Sequence, residues 1–182
     1  MLTEEELQYL RDNIRQVPDF PKKGILFLDI TTSVKDPKSL RLTMDFLKEK
    51  VAPLKPDYVV GLESRGFVYG APLAVELGCG FIMVRKPNKL PGSKISESYG
   101  LEYGRDTLEI HADAIKPGDK VVIIDDLLAT GGTVTAAVRL MQRVGADIKA
   151  AVLPIELTPL KGREKIEEMG VDVISMLQYD LD

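Results

Sequence analysis

The chain has one cysteine, Cys79, and one histidine, His111, in 182 residues. A lone cysteine excludes an intrachain disulfide framework. Inside "LGCGF" it reads as a small hydrophobe at a turn entering a strand rather than as a reactive thiol. His111 has no second histidine with which to build a metal site or a triad, and is expected to be structural or at an interface. Positive charge is also short. Lys and Arg number 24 against 28 Asp and Glu, a net charge of −4, so no general field draws the chain to nucleic acid or an acidic membrane. No apolar run approaches the roughly 20 residues of a membrane span. The opening "MLTEEELQYLRDNI" is acidic and amphipathic, unlike a signal peptide, and a cytoplasmic protein is expected. Internal repeats, low-complexity tracts and linkers are absent, so the chain reads as one domain over 1–182, large enough to bury a core.

What is present is alternation. Thr3 with Glu6 makes a capping-box pattern, and Leu7, Leu10 and Ile14 mark one face of a first helix. "VPDFPKKGILFLDIT" (17–31) is an arm punctuated by proline and glycine. Asp36 and Pro37 form an N-cap and first turn, followed by a stripe of Leu40, Met44, Leu47 and Val51. Strands are expected at 57–62, 80–85, 106–113, 119–125, 149–157 and 171–177. Between them lie helices at 66–77, stopped by Gly78, and 133–144, stopped by Gly145, with "LKGREKIEEMG" before the last strand. Such a series implies βαβ units, hence an α/β fold with a mainly parallel central sheet flanked by helices. "KPNKLPGSKISESYG" (86–100) is too polar to serve the core and is expected to be a mobile flap loop.

The stretch "VVIIDDLLATGGTV" (121–134) carries the chemistry. An apolar strand ends in Asp125 and Asp126, where ligands of parallel sheets sit. Thr130, Gly131, Gly132 and Thr133 then enter a helix whose free N–H groups and dipole favour an anion. Glycine lets the backbone close around phosphate, and threonine adds hydroxyl donors. Carboxylates would repel that phosphate, so they must face another part of the ligand, either vicinal hydroxyls or a metal ion. A ribose 5-phosphate has both ends. The string is neither a P-loop, since no lysine follows the glycines, nor a GxGxxG turn.

This motif resembles the phosphoribosyl-diphosphate motif of the type I phosphoribosyltransferases. With "PDFPKKGILFLDIT", "GLESRGFVYGAPLA", "GFIMVRKPNKLPG" and "YGLEYGRDTLEIHADAI", the resemblance spans nearly the whole chain and points to the branch of that family that uses adenine. It implies the type I fold with a small N-terminal hood formed by 1–35, and Mg²⁺ held mainly by substrate and water. Its substrates would be adenine and phosphoribosyl diphosphate, with no nucleic-acid or membrane partner, and the protein would be a homodimer.

The resemblance assigns the site residue by residue. Asp125 and Asp126 would hold the ribose hydroxyls. Ala129, Thr130, Gly131, Gly132 and Thr133 would hold the 5-phosphate. The loop Glu63, Ser64, Arg65 and Gly66 would hold the diphosphate, with a cis peptide between Glu63 and Ser64. Arg65 alone would read as a solvated loop charge. Arg85, Lys86 and Lys89 would add cations, where spacing alone suggests only a charged strand end. Asn88 replaces a common glycine and can take the same left-handed turn. Phe27 would stack on adenine and the backbone of Leu26 would pair with its exocyclic amine; Leu28 stands where some relatives have arginine. Glu102 would be the general acid/base for the purine ring, and Tyr99 and Ser93 lie on the flap. Three other readings compete: the same fold serving a 6-oxopurine, against which the Phe27 arm argues, a non-catalytic sensor that binds nucleic acid, and a nucleotide-binding structural module without turnover, against which Glu102 and the flap argue. The negative charge and the few residues before Pro18 argue against the second.

Overall fold

The computed structural model describes residues 1–101 and 104–180. The chain opens with helix α1 (Glu4–Asp12), whose Thr3 and Glu6 form the reciprocal capping box. The arm follows as an antiparallel hairpin of β1 (Arg15–Pro18) and β2 (Leu26–Asp29). Helices α2 (Thr31–Lys35) and α3 (Pro37–Val51) come next, the second capped by the Asp36 carboxylate on the Ser39 amide at 2.7 Å. Ile14, expected on the first helix, lies beyond its end yet is still buried.

The core sheet uses the most apolar runs. Strands β3 (Tyr58–Leu62) and β4 (Gly80–Val84) are joined by helix α4 (Gly66–Leu77), which stops at Gly78 in the left-handed conformation, φ 67°. A two-stranded ribbon of β5 (Lys94–Leu101) and β6 (Gly104–His111) intervenes. Then come β7 (Lys120–Ile124), β8 (Leu127–Leu128), helix α5 (Gly132–Arg143) and β9 (Asp147–Val152). The chain continues through β10 (Ile155–Leu157), helix α6 (Gly162–Glu167), β11 (Val173–Ile174) and β12 (Leu177–Tyr179). The five-stranded sheet has order β11-β9-β7-β3-β4, parallel throughout.

Successive side chains of a strand face opposite sides, and both sides of this sheet are covered. Val60, Val121 and Ile123 pack towards α5, with Val134, Val138 and Met141. Val59, Val122 and Ile124 pack towards α3 and α4, with Leu47, Val51 and Leu73. Burial on both faces explains the continuous apolar strings. Among the described residues, no helix is long and apolar enough to cross a membrane.

Two expectations are corrected. The runs 149–157 and 171–177 are not single strands. Each divides between the main sheet and a smaller parallel sheet of order β12-β10-β8. Pro154 has no N–H to continue a ladder, and its carbonyl accepts the Met176 and Leu177 amides instead. The 86–100 segment is not wholly loop either, because its second half is strand β5. Ile95, Glu97 and Tyr99 alternate with exposed Ser96, Ser98 and Gly100. The inward Glu97 made the segment look polar, but it meets Arg139 and Arg143 of α5 at 3.0 Å each.

Candidate active site

The carboxyl ends of β3 and β7 are neighbours in the sheet, so the loops that leave them share one edge. Asp125 and Asp126 leave β7; Glu63, Ser64 and Arg65 leave β3. Gly66 lets the two loops close up. A Cβ there would lie 2.6 Å from the Ile124 carbonyl oxygen and 3.2 Å from Asp125 Cα. The Glu63–Ser64 peptide is cis, as expected. Two cavities result. One of about 200 Å³ is lined by Arg65 and the run Asp125 to Val134. The other, about 400 Å³, is lined by Glu63, Ser64, Arg65, Lys86, Asp125 and Thr133. They share Arg65, Asp125 and Thr133, so they are two rooms of one cleft.

In the smaller room, Gly131 takes the left-handed conformation, φ 79°, and starts α5 with no side chain capping it. The amides of the first turn therefore point at the cavity as unspent donors. Ala129, Thr130, Gly131, Gly132 and Thr133 all line it. Behind the loop stands α6. Lys165 Nζ donates to the Thr130 carbonyl at 2.9 Å, and Gly162 lies against Gly131 and Ala129.

The two acids are not equivalent. Asp126 is 2% exposed and accepts Arg65 Nε at 2.5 Å. Asp125 accepts the Asp126 amide at 2.9 Å. Loss of water contact, and then the neighbouring Asp126 charge, hold the Asp125 carboxyl well above the usual carboxylate range.

The cations divide similarly. Arg85 binds Glu63 through two hydrogen bonds, 3.0 and 3.3 Å, and Glu63 also accepts the Lys86 amide at 2.7 Å. The hydrogen bond from Arg85 is the main reason that the Glu63 carboxyl sits below its ordinary value. Arg85 lines neither cavity; it and Glu63 brace the loop. Lys86 does line the larger one. Its Nζ contacts the Tyr99 hydroxyl at 2.8 Å and the Asp106 carboxylate. Lys89 is exposed, and Asn88 has the left-handed turn, φ 64°.

At the third edge, the Arg65 guanidinium lies over the Phe27 ring, 5.6 Å from its centroid. Phe20 meets Phe27 edge-on at 5.2 Å. Leu26 stands opposite Pro18, which brings no N–H to the ladder. Leu28 is 3% exposed, in the core with α3 and α4, so its side chain faces away from Phe27. Ser93 lies apart in a hollow beside His111, whose Nε2 lies 2.9 Å from the Pro91 carbonyl oxygen. Glu102 lies outside the described residues.

Three residues were missed in the sequence. Asp106 follows from strand register, since it pairs with Tyr99 across the ribbon, and the alternation of 94–101 was its available signal. Gly162 and Lys165 had none, because nothing local to "LKGREK" mentions residues 129–131.

Residues 31–176 match the family profile described as the phosphoribosyl transferase domain. The chain is 55% identical over 170 residues to the adenine phosphoribosyltransferase of Carboxydothermus hydrogenoformans, covering 93% of this chain and 99% of that one. The chain belongs to the adenine phosphoribosyltransferases. The Escherichia coli O157:H7 member of that family is 49% identical over 177 residues, 97% of each chain. Among solved structures, adenine phosphoribosyltransferase from Thermoanaerobacter pseudethanolicus superposes with a TM-score of 0.91 at 47% identity, covering 95% of this chain and 99% of the other. The Saccharomyces cerevisiae enzyme, solved with an imino-altritol bisphosphate and adenine, gives 0.88 at 40% identity, over 96% of this chain and 100% of that one.

Proposed function

We propose that this cleft carries the adenine phosphoribosyltransferase reaction through a division of labour between its rooms. In that reaction phosphoribose passes from 5-phospho-α-D-ribose 1-diphosphate to adenine, giving AMP and diphosphate, a purine-salvage step. The observation that carries the assignment is the sharing of Arg65, Asp125 and Thr133 by an amide-lined room and a cation-lined one.

The 5-phosphate sits on the amides of Ala129 to Thr133, and Asp125 and Asp126 take the ribose 2- and 3-hydroxyls. Diphosphate occupies the larger room against Ser64, Arg65 and Lys86, with Lys89 adding charge from the rim. Adenine lies against Phe27, and the Leu26 backbone meets its exocyclic amine. A 6-oxopurine would leave that partner unpaired beneath the bound base, which is expensive. N9 attacks C1 as diphosphate leaves, through a transition state with oxocarbenium character. The protein's task is positioning and charge stabilisation. Glu102 manages the proton on the imidazole ring of the base, and the 86–100 segment excludes water while the sugar is activated.

Mg²⁺ fits this donor set. Among the described residues no cluster of three or more His, Cys, Asp or Glu forms a protein cage, whereas two adjacent carboxylates beside a phosphate room suit an ion that keeps waters and binds substrate oxygens. When bound, it would neutralise diphosphate charge, held by substrate and water with Asp125 and Asp126 facing it. We also read the protein as a cytoplasmic homodimer. Strand β4 is the last strand of the main sheet and exposes Met83, with Val68 of α4 also exposed, and an apolar sheet edge invites pairing. Sedimentation would show the dimer.

The test is to incubate the purified protein with Mg²⁺, phosphoribosyl diphosphate and each purine separately. AMP should form from adenine, and hypoxanthine or guanine should give little product. Glu102→Leu should cut turnover sharply while leaving phosphoribosyl-diphosphate binding near normal. Equal use of 6-oxopurines would overturn the base assignment.

A further inference from the structure

Both cations that line the diphosphate room already hold a carboxylate. Arg65 holds Asp126, which itself lines the cleft. Lys86 holds Asp106, and Asp106 lines neither room. The second pair therefore has a cation that a ligand can reach and an anion that a ligand does not meet.

The Asp106 carboxylate is fixed from several sides. One oxygen accepts the Thr107 amide at 2.8 Å. The other accepts the Tyr99 hydroxyl at 2.9 Å and also contacts Lys86 Nζ. Tyr99 is 5% exposed, and Thr133 of the phosphate loop reaches its hydroxyl at 3.5 Å. Direct pairing of Tyr99 with Asp106 in the ribbon keeps the group on one face. The Lys86 ammonium can swing on its stem, but Asp106 cannot follow it into the cleft.

From this geometry we propose that Asp106 is a positioning residue, the counter-ion to which Lys86 returns when diphosphate is absent. The proposal rests on the reading of Lys86 as a diphosphate ligand. Phosphate oxygens must compete with a built-in carboxylate for this ammonium, so the ground-state grip on diphosphate is weakened. The same carboxylate recaptures Lys86 as diphosphate departs, which favours release of the product. An ion pair that only supported the ribbon would have the opposite signature, because its loss would disorder Lys86 and weaken binding.

Asp106→Asn removes the competing charge and keeps the shape. Diphosphate should then bind about three- to tenfold tighter, a modest factor because both side chains are partly exposed, 33% and 28%. KM for phosphoribosyl diphosphate should fall, and kcat should fall with it where release limits turnover. The measurement is calorimetric titration with inorganic diphosphate and Mg²⁺, with kinetics on the same proteins. Lys86→Met should weaken diphosphate binding, and Lys86→Met/Asp106→Asn should lose the tightening. If Asp106→Asn folds poorly, Asp106→Ser gives the same comparison. Unchanged or weaker binding in the Asp106 variants, with Lys86→Met still impaired, overturns the counter-ion role and leaves Lys86 as a ligand. Normal binding by Lys86→Met overturns both.

Discussion

An alanine at position 162 should damage the amide-lined end of the cleft, where the proposed function places the 5-phosphate, although α6 lines neither room. Gly162 lies against the loop so closely that a Cβ would stand 2.3 Å from the Ala129 carbonyl oxygen and 2.8 Å from Leu128 Cδ1. Leu128 is 1% exposed, so its side chain has little room to yield. The carbonyl belongs to the backbone that presents the amides. To reach an ordinary contact of about 3.4 Å, the Ala129 peptide must retreat by roughly 1 Å. Overpacking of this kind costs about 1–3 kcal/mol of stability, and a misplacement of about 1 Å at a positioning group costs on the order of 10²-fold in rate. Gly162→Ala should therefore raise KM for phosphoribosyl diphosphate by about 10- to 100-fold, with KM for adenine nearly unchanged. The assay is AMP formation with each substrate varied in turn, alongside calorimetric binding of ribose 5-phosphate. Lys165→Met, which releases only the Thr130 carbonyl, should move the same constants less. A folded Gly162→Ala protein with normal affinity for ribose 5-phosphate would refute the reasoning.

Four further outcomes are expected. Arg163→Met should destabilise the fold by about 3–5 kcal/mol in urea titration, since it strands a buried carboxylate: Glu156 is 3% exposed and accepts Arg163 at 2.9 and 2.6 Å. Burial alone would raise the Glu156 carboxyl, but hydrogen bonds from Arg163 and Ser175 carry it below its usual 4.5. That stability is present above the usual value and lost as pH falls through the lowered one, so Glu156→Gln should flatten the acid limb of stability against pH. Asp125 has the opposite sign. Its raised carboxyl favours the fold only while protonated, a contribution complete below 3.8 and lost as pH rises through the folded value. Asp125→Asn should gain about 0.5–2 kcal/mol at pH 7, little at low pH, and lose most activity; a destabilised variant at pH 7 would contradict this. Phe27→Ala should raise KM for adenine about 5- to 100-fold, the worth of one base on an aromatic ring, and leave KM for phosphoribosyl diphosphate nearly unchanged; a matching rise in both would contradict the stacking role.

How much of this was legible depended on how far apart the interacting residues lie. The run 121–124 declared a strand buried on both faces, and Thr3 with Glu6 and Asp36 with Pro37 declared helix starts. The Asp125–Thr133 string pointed to a ligand with a hydroxyl edge and a phosphate, the reading proposed above, because acid, glycine and helix start sit on one short stretch whose backbone chemistry is local. The ribbon of 94–101 was harder to see. Its inward Glu97 looks solvent-loving until Arg139 and Arg143 are placed beside it.

By itself, then, the amino-acid order determined the alternating elements and the chemistry of each loop, since capping, turn geometry and face alternation act within a few residues. The tertiary structure alone decided which carboxylate each cation holds. It gave Arg85 to Glu63, Arg65 to Asp126 and Lys86 to Asp106, and it set Gly162 against Ala129. Charge pairing and steric contact act across space between segments distant in the chain, and only the packed sheet fixes those distances.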